Sequence, residues 1–199
     1  MERISSFAYD RAKKLKMVEQ QLILVDKKDK FLGKYAPKMK CHIGKGLHHR
    51  AFTIMILNKK GEVLLQKRKH KLWDNYWDLT NSHPLHREDG TDETYEEAAQ
   101  RCLKREWGIE ISMKKLFAFN YFAKYKDNLC ENEYSIFMIG RYDEEPTPSL
   151  EVAYGYKWMP LNKLLKDIKF HSQEYTPWLI KALEELEAHK EIDFNYLKR

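Results

Sequence analysis

A mixed α/β (α+β) domain is predicted by three features of the sequence. One helix stands out: residues 94–108 open on Thr94 with Glu97 three positions on, a reciprocal capping pair, and close at Gly108, where a left-handed residue ends a helix. Two stretches, 116–125 and 131–139, alternate with the period of two that puts every second side chain on one face of a strand. Hairpin patterns at 21–35 and 52–68 precede the helix, and no internal repeat, low-complexity tract or linker interrupts the mixture.

Composition narrows the class. The 199 residues suit one domain with a sizeable core. With 43% hydrophobic and 13% aromatic residues the chain is not of the disordered kind, and no apolar run approaches the roughly 20 residues of a membrane span. The first seven residues carry an acid early and no apolar block before a small-residue cleavage site, so no secretory signal is visible and a cytoplasmic location is expected. Cys41, Cys102 and Cys130 are odd in number and lack CxxC spacing, the pattern of reduced thiols. A net charge of +6 and a pI near 9.0 suit an anionic partner. The charge is spread over Lys-rich turns, so a small phosphorylated molecule accounts for it as well as nucleic acid does.

Along the chain, residues 1–17 read as an amphipathic helix with Ile4, Phe7, Ala8 and Leu15 inward, an N-terminal extension to a domain spanning 18–199. Residues 21–25, 26–30 and 31–35 read as strand, turn and strand. Residues 38–49 read as a loop in which Gly44 and Gly46 permit tight turns and His42 and His49 stand among Lys38, Lys40, Lys45 and Arg50. Histidines so placed are solvated or act as ligands, and seven residues of loop fix no geometry between them. Residues 52–57, a turn at 58–61 and residues 62–68 read as a hairpin whose basic end, Gln66, Lys67 and Arg68, points toward a bound anion.

On the central helix Ala99, Leu103 and Trp107 mark the buried stripe, and Glu106 falls on nearly the same face. An inward carboxylate is ion-paired, protonated or metal-bound, and the pairing partners in reach are Arg101 and Arg105. Beyond it, Phe117, Phe119 and Tyr121 share one strand face, and Glu131, Glu133, Ser135 and Phe137 share another. Two carboxylates about 7 Å apart on a strand raise each other's pKa unless a cation lies between them. A metal, a general acid and base, or a solvent-facing strand end would each explain that pair. Residues 152–158 read as an aromatic-rich strand and 160–168 as a helix. The last helix starts at Thr176 with Pro177 in its first turn and buries Leu179, Ile180, Leu183 and Leu186. Trp178, at its start, suits a charged ligand.

The stretch around the central helix resembles the Nudix box, G x5 E x7 R E U x E E x G U. Glu93, Arg101, Leu103, Glu106, Gly108 and Ile109 match, whereas Arg87 stands at the first glycine and Cys102 and Arg105 at two of the glutamates. The type 1 isopentenyl-diphosphate isomerases depart from the pattern in the same way. The chain is similar to them in 46–52 (GLHHRAF), 80–85 (TNSHPL), 98–101 (AAQR), 131–133 (ENE) and 176–178 (TPW), and the likeness covers roughly 18–185.

That resemblance implies a Nudix-like mixed β-sheet core sandwiched between helices. It implies a metal, Mn²⁺, Zn²⁺ or Mg²⁺, on His42, His49, His83, Glu131 and Glu133, with Glu106 holding a further Mg²⁺ that bridges to a substrate diphosphate. It makes Lys38, Arg68 and Lys71 the diphosphate-binding cations, Glu133 the acid/base, Tyr121 its neighbour and Trp178 the aromatic facing a carbocation. The implied reaction interconverts isopentenyl and dimethylallyl diphosphate by protonation and deprotonation. The family's catalytic cysteine falls at Asn81, or in a deletion beside it. Asparagine does not titrate, and Cys130, next to Glu131, points the other way by strand alternation. A Nudix-type hydrolase of a prenyl or other diphosphate and a catalytically silent diphosphate-binding domain are the competing readings. The expected partner is a small prenyl diphosphate rather than nucleic acid or a membrane, and the expected state a monomer or weak dimer.

Overall fold

The computed structural model describes residues 19–189, so the helix expected over 1–17 lies outside the described residues. The first hairpin, β1 (Gln21–Val25) and β2 (Phe31–Pro37), forms as expected. Asp26 makes its turn, accepting hydrogen bonds from the backbone of Lys28 at 2.8 Å and Lys30 at 3.0 Å. A short helix, α1 (Lys38–Cys41), follows, and here the structure corrects the all-loop reading of residues 38–49. Pro37 caps this single turn with φ −52°, and Cys41 is buried beneath it with Leu22, Leu24 and Ala36.

The central strand is β3 (His49–Leu57), and it runs parallel to β9 (Leu129–Arg141) in register from His49 opposite Glu133 to Leu57 opposite Arg141. β8 (Met113–Tyr125) lies antiparallel on the outer edge of β9. On its other side β3 takes the short β6 (Thr80–Ser82). The expected hairpin to β4 (Glu62–Arg68) is closed at its turn, where Gly61 adopts φ 74°, but the arms pair only at Leu57 and Val63. Past that point β4 leaves β3 and pairs along its whole length with β10 (Ala153–Pro160), and its end also pairs with β5 (Trp77–Asp78). A two-residue strand, β7 (Leu85–His86), joins β1.

β3 is buried on both faces, and its alternation sorts the core into two layers. Phe52, Ile54 and Ile56 pack with Leu64, Met138 and helix α2 (Tyr95–Trp107) through Ala98, Ala99, Leu103 and Trp107. Met55 and Leu57 pack on the other side with Phe119, Phe137, α3 (Leu161–His171) and α4 (Pro177–Ala188) through Leu164, Leu179, Leu183 and Leu186. The sheet is therefore covered by helices on both faces. The capping pair of α2 is complete: Glu97 N donates to Thr94 Oγ1 at 3.1 Å and Thr94 N to Glu97 Oε2 at 2.7 Å, while Gly108 closes the helix at φ 68°. Among the described residues no helix is long and apolar enough to cross a membrane.

Candidate metal centre and anion cavity

Strand register assembles the first half of the site. His49 on β3, Glu133 on β9 and Tyr121 on β8 are direct neighbours across three strands. Glu131 stands two residues before Glu133 on the same face, and His83 follows β6, whose Ser82 pairs with Phe52. His42 arrives from the end of α1. Its loop is pinned to β9, because Cys130 N donates to His42 O at 2.9 Å and Gly44 N to Asn128 O at 2.8 Å. Gly46 is required there: its φ is 61°, and a Cβ would lie 2.7 Å from Cys130 Sγ and 2.9 Å from Cys41 O. One ligand atom from each of His42, His49, His83, Glu131 and Glu133 lies within 4.8 Å of the others, and all five residues are buried. The solvated-histidine and solvent-facing-carboxylate readings are thereby overturned; a loop that fixes no geometry by length fixes it by docking on a strand.

The orientation of the imidazoles suits a cation. His42 Nδ1 sits 2.6 Å from Lys38 O and His49 Nδ1 2.7 Å from Leu47 O, so in each ring Nδ1–H donates to a carbonyl and Nε2 turns inward. Glu133 Oε1 lies 2.9 Å from His83 Nε2 and 3.5 Å from His49 Nε2, and His42 Nε2 lies 2.8 Å from Glu131 Oε2. Buried His49 Nε2 has no hydrogen-bond partner in the protein. Burial, followed by the charge of Glu133, pushes the Glu131 carboxyl up. Burial alone would also raise Glu133, but the imidazoles of His49 and His83 beside it hold it well below the usual carboxylate range. Burial drives His83 well below its ordinary value; for His42 burial is outweighed by the bond to Glu131, and its pKa rises. Three inward nitrogens, one of them orphaned, and two buried carboxylates form a donor set that a divalent cation fits.

Beside this cluster opens a cavity of about 310 Å³. Lys38, Arg68, His70, Lys71 and Arg105 line it, with Glu106 and Asn81. Lys38 is desolvated there, which lowers its pKa; Lys71 is exposed at the rim. Glu106 is buried, as helix spacing predicted, and its ion-pair partner is Arg105, whose Nη2 lies 2.6 Å from Oε1. Arg101 instead takes Glu93, with Nε to Oε1 and Nη2 to Oε2 both 2.8 Å, and donates from Nη2 to His83 O at 3.0 Å. Asn81 accepts from Arg68 Nη1 at 3.1 Å. Tyr121 donates a very short hydrogen bond to Glu133 Oε2, and its ring lies 6.2 Å from that of Trp178. Trp178 is buried, donating from Nε1 to Asp78 Oδ1 at 2.8 Å. Cys130 is fully buried under Gly46 on the reverse of β9, as alternation predicted. Sequence reasoning did not single out Asp78 or His70. The signal for Asp78 was a lone acid between Trp77 and Leu79; nothing in the sequence marked His70.

A family model for the NUDIX domain matches residues 47–179. Isopentenyl-diphosphate Delta-isomerase 2 of Photorhabdus laumondii is 39% identical over 169 residues, covering 85% of this chain and 93% of that one. Isopentenyl-diphosphate Delta-isomerase 2 of Aromatoleum aromaticum is 33% identical, covering 84% and 86%. Among solved structures, DR0079 from Deinococcus radiodurans superposes with a TM-score of 0.59 at 20% identity, over 76% of this chain and 90% of that one, a likeness of fold. The chain belongs to the Nudix superfamily and, within it, to the isopentenyl-diphosphate Delta-isomerase family.

Proposed function

We propose that the chain interconverts isopentenyl and dimethylallyl diphosphate. The observation that carries this reading is the position of Glu133, one carboxylate shared between the imidazoles of His49 and His83 and the hydroxyl of Tyr121. The reaction adds a proton to the terminal CH₂ of the alkene and removes one from the CH₂ on the other side of the branched carbon. Glu133 holds and moves a proton at its carboxylate oxygens. Tyr121, kept protonated by burial and by the charge of Glu133, steadies the ionised form. The rings of Tyr121 and Trp178 offer π faces to positive charge developing at the branched carbon.

His42, His49, His83, Glu131 and Glu133 would hold Mg²⁺, Mn²⁺ or Zn²⁺, and Glu106 a Mg²⁺ arriving with the diphosphate. Such cations, when bound, supply charge that keeps Glu133 ionised and neutralises the phosphates. Lys38, Arg68 and Lys71 bind the diphosphate, and Glu106, paired with Arg105, would have to exchange that partner to hold a cation. The wall at Asn81 carries no titratable proton, so the second proton transfer needs a group other than Asn81. Residues 18–199 form the catalytic unit, acting as a monomer or weak dimer in the cytoplasm. The hydrolase reading is disfavoured by one observation: of the Nudix-box carboxylates, Glu93 is tied to Arg101 and to the Leu85 backbone, and Cys102 and Arg105 replace two others. Incubation with isopentenyl diphosphate and Mg²⁺, following both dimethylallyl diphosphate and released phosphate, tests the assignment. Isomer without phosphate is expected; phosphate release supports a hydrolase, and binding with neither product a silent domain.

A further inference from the structure

Behind the anion cavity, and not among its lining residues, Asp78 on β5 is completely buried with three donors on one carboxylate. Its Oδ2 accepts from Arg68 Nη1 at 2.7 Å, and its Oδ1 accepts from Thr176 Oγ1 at 2.6 Å and from Trp178 Nε1 at 2.8 Å. Arg68 and Trp178 also touch each other, the guanidinium carbon lying 4.9 Å from the indole centroid. The three side chains therefore close a ring spanning β4, β5 and the first turn of α4. Arg68 is held at two further points, by Asn81 Oδ1 at 3.1 Å and Leu72 O at 3.3 Å, and its buried Nε has no partner in the protein.

A buried carboxylate costs several kcal/mol to keep ionised unless it is fully hydrogen-bonded. Burial pushes Asp78 up to about 6, with Arg68, Thr176 and Trp178 opposing. A structural anchor for α4 could be made by the Oδ1 contacts alone. The contact of Oδ2 with an arginine that lines the cavity is what anchoring leaves unexplained.

We propose that Asp78 is a positioning residue: one buried carboxylate sets the guanidinium of Arg68 against the indole of Trp178, fixing the spacing between the anion-binding and aromatic ends of the site. The inference rests on the proposed function for the identity of its ligand, a diphosphate. It also gives Asn81 a role of its own, as the second acceptor that holds Arg68 Nη1.

The test is equilibrium binding of inorganic diphosphate with Mg²⁺ to the full chain by calorimetry, alongside KM and kcat for isopentenyl diphosphate. Asp78→Asn keeps the volume and the Oδ1 acceptor for Thr176 and Trp178 but presents a neutral amide to Arg68. Losing a charge-assisted contact of this kind is expected to weaken diphosphate binding about tenfold or more. KM should rise by a similar factor while kcat changes less. The double variant Asp78→Asn with Arg68→Lys should bind no more weakly than Arg68→Lys alone, because Asp78 acts through Arg68. Native affinity in Asp78→Asn, or losses that multiply in the double variant, would overturn the proposal. If Asp78→Asn does not fold, Arg68→Lys decides. Lysine keeps the charge but spans Asp78, Asn81 and Leu72 poorly, so about a tenfold loss is expected and native affinity overturns the proposal. Failure of the unaltered protein to bind diphosphate removes the functional reading and this inference with it, an outcome distinct from variants that bind like the native chain.

Discussion

The metal-ligand cluster and the anion rim beside it are held in different ways. In the cluster, short side chains project from paired strands or from segments docked on them, so His49, Glu133 and Tyr121 are fixed by register and His42 by the grip of its loop on β9. At the rim, long cations reach in from α1, the end of β4, the following loop and α2, and the two arginines are aimed by other side chains: Asp78 and Asn81 for Arg68, Glu106 for Arg105. Strand pairing fixes positions through backbone hydrogen bonds made whatever the side chains are. A lysine or arginine has four or more rotatable bonds, and its position depends on its partners.

The sharpest break in this comparison is Glu133→Gln. The glutamine fills the same place, and the fold should survive, as judged by an unchanged melting temperature in the absence of metal. Isomerisation should fall by at least ~100-fold, the loss typical of a missing general acid or base. Near-normal turnover would take Glu133 out of the mechanism and leave the cluster a purely structural metal site.

Next in size is Asn81→Cys, which moves a titratable group onto the rim side. Where the native chain isomerises slowly, the thiol should raise the rate by up to ~100-fold, provided it reaches the alkene. The same change removes an acceptor from Arg68 Nη1, so diphosphate affinity should fall slightly even as turnover rises. Product analysis under saturating substrate separates the two effects. Fast isomerisation by the native chain would instead show that Tyr121 or water already fills the cysteine's place.

These contrasts explain what was legible in the sequence. Capping residues, strand alternation and the hairpin turns are local signals, and α2, β8, β9 and the turns at residues 26–30 and 58–61 form where they indicate. Partner choice is not local: nothing in residues 52–68 reveals that β4 abandons β3 for β10 beyond Val63. The ligand histidines were ambiguous for the same reason, because their convergence depends on the parallel pairing of β3 with β9 and on Gly46 packing against Cys130. Glu106 was read as inward from spacing, but the choice of Arg105 over Arg101 followed from Glu93, which captures Arg101 from eight residues away. Asp78 was hidden because its function lies in contacts with residues 10, 98 and 100 positions distant.

A pH series sharpens the cluster side. In the metal-free protein His42 is raised above the ordinary histidine value, despite the opposing effect of burial, by its bond to Glu131. A metal must displace that proton, so affinity should be steady at alkaline pH and begin to fall at a pH above 6.5, by about tenfold per pH unit for one proton displaced. His83, depressed by burial, stays unprotonated over the same range and adds no loss. Competition titrations against a chelator at several pH values check this; a flat affinity down to about pH 5 would mean that His42 is not a ligand.

The smallest expected effect tests whether the rim depends on the helix that carries Glu106. Thr94→Ala removes the Oγ1 that accepts from Glu97 N, and the reciprocal half of the capping box loses its pre-ordering. Stability should drop by about 1 kcal/mol in urea unfolding. Glu106 sits three turns away, on a stretch buried through Leu103 and Trp107 and closed by Gly108, so that loss should stay at the start of α2. The Mg²⁺ dependence of diphosphate binding should therefore match that of the native chain at temperatures well below unfolding. A weakened Mg²⁺ dependence in Thr94→Ala would mean that the rim is aimed by the whole of α2 rather than by Arg105 and Gln66, whose side chains reach the Glu106 carboxylate directly.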